Sequence, residues 1–187
     1  MKDKILKNEF WSLSLKGSLQ RASIYSKDEE QISYSEEFRH TFRTGLREFI
    51  ETMIVNDYEI GVTEEKHLSN IMALKEHAEF IGQGIIHNNT FNYGVAQKLL
   101  NLYLRYLWLG DFIKEPVHFP VTNQIQECLM MGKESISWTK MTKVEEYMRV
   151  INKAKTILAD EDRKWNLYDI KSIAELDLSF MDVEVCY

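Results

Sequence analysis

The stretch Gly94-Val95-Ala96-Gln97-Lys98-Leu99-Leu100-Asn101-Leu102-Tyr103-Leu104-Arg105-Tyr106-Leu107-Trp108-Leu109-Gly110 constrains this chain more than any other. Its period is helical, and apolar side chains occupy almost every side of the helix. Such a rod is stable in water only when other segments wrap it, which predicts a central, buried helix with the fold assembled around it. Its polar exceptions, Lys98, Asn101 and Arg105, fall at i, i+3 and i+7 and share one narrow stripe. An unpaired buried ammonium is costly. The stripe therefore has to meet water, a counter-charge or a ligand, and a cleft beside it is expected.

The segments that could do the wrapping are helical as well. Ser35 followed by Glu36 and Glu37 reads as an N-cap with acid in the first turn. Phe38, Phe42, Leu46, Phe49, Ile50 and Met53 then form a stripe, which predicts a helix over about 36 to 56. Thr63, followed by Glu64 and Glu65, opens a second stripe through Leu68, Ile71, Met72, Leu74, Ala78 and Ile81, stopped by Gly82 and Gly84. Thr142 and Glu145 have the spacing of a capping box ahead of Val144, Tyr147, Met148, Ile151, Ile157 and Leu158. Beyond Gly110 the chain turns through Pro116 and Pro120, and Thr122 fits the N-cap of a further helix. Alternating β-branched runs are nearly absent. The expected fold class is mostly α, one compact helical domain over 1–187.

A domain of 187 residues, 44% hydrophobic and 12% aromatic, buries roughly 70% of its unfolded surface and needs no disulfide staple. Trp11, Trp108, Trp138 and Trp165 are read as core first and binding platforms second. Cys128 and Cys186 have no metal-ligand spacing, and His67 and His77 are not at i, i+4, so reduced thiols and no metal or cofactor are expected. No apolar run approaches the roughly 20 residues that span a bilayer. Met1 to Lys7 leads into Asn8, Glu9 and Phe10 without a secretory core. A soluble, cytoplasmic protein without membrane contact is expected.

With 29 acidic and 23 basic residues the formal charge is −6, which excludes a basic coat of the kind that wraps nucleic acid. The charge is uneven, however. Between Trp138 and Thr156 the bases Lys140, Lys143, Arg149, Lys153 and Lys155 outnumber Glu145 and Glu146, a surface that could follow phosphates or make ordinary i, i+4 pairs. From Asp160 to Tyr187 acids dominate, a segment suited to a protein partner.

Two short motifs carry a family resemblance. Gly94-Val95-Ala96-Gln97-Lys98, preceded by a turn and followed by the apolar helix, resembles the hairpin of the helix-hairpin-helix DNA glycosylases, and Phe119-Pro120-Val121-Thr122-Asn123-Gln124-Ile125 resembles their downstream proline-marked segment. Together the motifs span residues 94–125. The resemblance implies a two-lobed α protein with the hairpin and central helix at about 84–110, and duplex DNA in the groove between the lobes. It implies a base-excision repair activity, a hydrolase acting on a flipped base. Backbone amides around Gly94, Ala96 and Gln97 would clamp a phosphate. Lys98 would attack the sugar C1′ to give a Schiff base, or contact phosphate. The family's assisting aspartate is replaced here by Thr122, so that function is lost or moved to Asp111 or Glu115.

The remaining candidates stay open between site and scaffold. Asn101 and Arg105 face a phosphate or flipped base, or pair with Asp111 and Glu115. His118, beside the proline loop, and His87, before the hairpin, are candidate proton shuttles or base contacts. Tyr93, Tyr103, Tyr106 and Trp108 read as packing rather than base stacking. Two other classes compete with the DNA reading: a non-enzymatic helical protein-interaction domain using the acidic C-terminal segment, and a small-molecule enzyme with a pocket on the Lys98, Asn101 and Arg105 stripe.

Overall fold

The structure, a computed structural model, describes residues 1–26, 36–160 and 170–181. Trp165 and Cys186 lie outside them. The helices are α1 (Lys2–Ala22), α2 (Glu36–Phe49), α3 (Glu64–Ile81), α4 (Tyr93–Leu109), α5 (Asn123–Cys128), α6 (Val144–Ala159) and α7 (Ile173–Met181). Among the described residues the only strand-like pairing is one antiparallel bridge between Tyr25 and Ile86. The protein is mostly α, and no described helix is long and apolar enough to cross a membrane.

The apolar rod is α4, and every residue from Tyr93 to Arg105 is buried. It lies at the centre because the chain offers it two long partners, α1 and α3. Along α1 the contacts run antiparallel: Phe10 stacks on Tyr106, Trp11 meets the edge of Tyr103, and Gly17 presses on Leu102. The inner face of α1 is built largely from Ser14 and Ser18, whose hydroxyls donate back to the carbonyls of Phe10 (2.7 Å) and Ser14 (2.6 Å). Small residues that satisfy their own polar groups let the two helices approach closely.

Several boundaries follow their caps. Thr63 accepts from the Lys66 amide at 3.2 Å and opens α3, which ends at Gly82. Thr122 accepts from the Ile125 amide at 3.1 Å and opens α5. Two expectations need correction. The helix expected over 36 to 56 is regular only to Phe49; it widens into a π turn at Ile50–Ile54 and tightens into a 3₁₀ turn at Val55–Glu59. The change of winding keeps Ile50, Ile54, Val55 and Tyr58 facing the core and swings Met53 out to 66% exposure, although the simple 3.6-residue stripe had Met53 inside. The expected Thr142–Glu145 capping box is shifted by one residue: α6 is capped at Lys143, and it is Glu146 that reaches back to the amides of Thr142 (2.8 Å) and Lys143 (3.0 Å).

Candidate functional site

Lys98 projects from the second turn of α4 toward the short turn Trp138–Lys140. Only 4% exposed, it places its Nζ 3.8 Å from the centre of the Trp138 ring. The charged groups that act on it are both cations, Arg21 and Arg105. Burial, reinforced by those two, pushes its ammonium down to about 8. Lys98 opens onto a concavity of about 380 Å³ whose other walls are Arg21 at the end of α1, Thr122, Asn123 and Gln124 at the start of α5, and Ser137, Trp138 and Thr139. The concavity takes in Lys98 but neither Asn101 nor Arg105, so it opens at one member of the stripe and not along it.

Local structure fixes these walls. Gly94 lets the first turn of α4 come against the Trp138 turn: its amide donates to the Met141 carbonyl at 3.0 Å, and a Cβ there would overlap the Trp138 carbonyl oxygen. Asn123 Oδ1 accepts from the Trp138 amide at 3.3 Å and ties α5 to the same turn. Trp138 is thus clamped from two sides over the Lys98 amine.

The concavity's walls have an unusual charge balance. None of the 29 acidic residues falls in the stretches 10–22, 93–110, 116–126 and 135–144, which supply those walls and their flanks. No carboxylate lines the concavity, and its two charged side chains, Arg21 and Lys98, are both cations, so a protein of net charge −6 keeps a local positive balance there. Asp111 and Glu115 are not part of this lining.

The other stripe residues are spent on the scaffold. Gln97 donates to the carbonyls of Gly94 and Val121 and accepts from the Val121 amide, each at 3.0 Å. Asn101 donates to the Phe119 carbonyl and the Tyr147 hydroxyl, each at 3.1 Å. Both are completely buried and sew the proline-marked loop onto α4. Ala96 is buried, and the Val95 and Ala96 amides donate to the Asn92 carbonyl, so the amides at this end of α4 are bonded within the protein. Arg105 donates to Asp177 of α7 at 3.1 Å, so of the two alternatives it takes a counter-charge, from a distant helix and not from Asp111 or Glu115. His87 is exposed on the turn before α4, next to Asn88.

His118 is completely buried, between the Tyr147 hydroxyl (2.9 Å, Nδ1) and Glu64 (2.9 Å, Nε2), and Lys155 also pairs with Glu64. Its ring lies edge-on to His67, itself bonded to the Tyr58 hydroxyl at 2.7 Å. Burial pushes both histidines down, that of His67 well below 6.5, with repulsion from His118 adding to it; Glu64 partly restores His118. A histidine held neutral in the fold but free to protonate when unfolded makes stability fall as pH drops below the unfolded value, by about 1.4 kcal/mol per pH unit for each proton difference. NMR titration of the His67 ring should accordingly show no step near 6.5. A normal step there would mean that water reaches the cluster.

Sequence reasoning reached Lys98 and Thr122 but missed Arg21, Asn123, Gln124 and the Ser137–Thr139 turn. The signal that would have found them is the distribution of acids, read stretch by stretch instead of as a total. Compared with family models, with curated proteins and with solved structures, the chain matches none of them.

Proposed function

We propose that this protein binds DNA through the Lys98 concavity and acts there as a helix-hairpin-helix protein of the base-excision glycosylase type, with Lys98 as a Schiff-base nucleophile. The observation that carries the reading is a buried amine, lowered to about 8, in a wall formed from segments without carboxylates. Near neutral pH a useful fraction of such an amine is unprotonated, while the surrounding field favours a polyanion. The helical hairpin of this reading is α3, the turn at 82–92, and α4. Because the Gly94 amide is bonded to Met141, phosphate contact is assigned to the side chains of Arg21 and Lys98 rather than to hairpin amides. Thr122 opens α5 at the family's aspartate position, so the lysine acts without a carboxylate beside it in the lining.

The amine adds to the C1′ aldehyde of an open abasic sugar, the aldehyde oxygen departs as water, and the resulting imine is reduced by borohydride to a stable secondary amine. Wild-type protein therefore gives a covalent adduct with a duplex carrying one abasic site, and the trapping rate rises with pH to level off above about 8. Lys98→Ala and Lys98→Arg give no adduct, and Lys98→Arg retains binding. An adduct of equal yield in Lys98→Ala would move the chemistry to another amine and end this assignment. Binding of duplex without any trapping in the wild type would leave DNA binding and remove the covalent step.

A further inference from the structure

We infer that the outer face of α1 continues the DNA path away from the Lys98 concavity, with Arg21 and Lys16 each holding a backbone phosphate; this rests on the proposed DNA reading. Arg21 is shared by two adjoining hollows. One is the Lys98 concavity, and the other, on the outside of α1, is lined by Leu13, Lys16, Gly17, Gln20 and Arg21. Arg21 is exposed, and no carboxylate lines either hollow. The carboxylate-free stretch 10–22 puts both bases in a region where no acid of the same helix can neutralise them, whereas Asp3 and Glu9 accompany the lysines at the other end of α1.

Five residues of helix advance about 7.5 Å at 1.5 Å per residue. Five residues at 3.6 per turn also set Lys16 and Arg21 about 140° apart around α1, so they stand at the two edges of the outer hollow, and their long, unbranched stems can reach a backbone passing between them. Nearby, Gln20 offers an amide donor. The outer hollow is shallow and has no second apolar wall, which suits a backbone running past it better than a small molecule enclosed by it.

The test is equilibrium binding of a fluorescein-labelled duplex carrying one tetrahydrofuran abasic analogue, followed between about 50 and 200 mM salt. Each lost phosphate contact lowers the slope of log affinity against log salt by about 0.9. Arg21→Ala and Lys16→Ala should each show that loss, the double variant about twice as much, and Arg21→Lys should keep the wild-type slope. Lys4→Ala, on α1 but outside both hollows, should leave the slope unchanged. If the wild type binds and Lys16→Ala keeps its slope, the path along α1 is overturned while the Lys98 site stands; if Arg21→Ala keeps it too, the Arg21 phosphate contact of that site falls and Lys98 as the nucleophile is left to the trapping experiment. If the wild type fails to bind this duplex at low salt, the DNA reading falls and the α1 path falls with it.

Discussion

Arg105→Ala should lower the free energy of unfolding at neutral pH by about 3–5 kcal/mol, since it leaves a buried carboxylate without its counter-charge. Asp177 is only 2% exposed, and Arg105 is the cation that pairs with it across α4 and α7. Even with that partner, burial raises the Asp177 carboxyl to about 6. A carboxyl whose folded value lies above its unfolded value favours the fold more as pH falls through that window. Removing Arg105 raises it further, so the penalty should shrink on acidification as the acid protonates and no longer needs a counter-charge. Urea unfolding near pH 7.5 and near pH 5 measures both effects. Arg105→Met combined with Asp177→Leu should recover most of the loss, because apolar groups of similar volume replace a buried pair at little cost. A penalty below about 1 kcal/mol, the scale of an exposed pair, would show that the two groups remain hydrated.

Gly94→Ala should be nearly as damaging. The added methyl would overlap the Trp138 carbonyl oxygen and come within 2.9 Å of the Met141 Cβ. Neither atom is the loose end of a side chain, and α4 is held on its other sides, so the Trp138–Lys140 turn has to move. Overpacking of this kind costs about 1–3 kcal/mol, and a clash with backbone belongs at the upper end. The same displacement takes the indole off Lys98, so the midpoint of the trapping profile should rise as the amine gains water. Gly17→Ala is the contrast. The atom in its way, at 2.8 Å, is the Leu102 Cδ1 methyl, which can turn aside. If the two alanine variants proved equally stable, the close approach at Gly94 would be wrong.

What was legible in the sequence was decided by how completely one physical signal governed each segment. The α4 helix was readable because nearly all of its positions obey burial, and α3 and α5 because threonine caps announce them. The N-terminal helix was not anticipated: its inner face carries Ser14 and Ser18 where a stripe needs leucine, so close packing replaced hydrophobic periodicity. Likewise, the nine residues of α7 are apolar on most faces and too short to show a period. In the site, Lys98 followed from the cost of a buried charge. Asn101 and Arg105 satisfied the same cost by other means, a loop carbonyl and a distant carboxylate, and no local pattern distinguishes those solutions from an open cleft. Arg21 was invisible to local reading because its place beside Lys98 depends on α1 lying antiparallel to a helix far along the chain.

That antiparallel seam also sets an order of events during synthesis. The first helix leaves the ribosome long before the segment that covers it, and isolated helices of its length are marginal in water. At 5–20 residues per second, the interval between finishing Ala22 and finishing Leu109 is on the order of ten seconds. Throughout that time Trp11 lacks the Tyr103 ring it meets in the fold. Although it is made first, the N-terminal segment can therefore find its place only once the central rod has been made, and the wait until then leaves it open to misassembly.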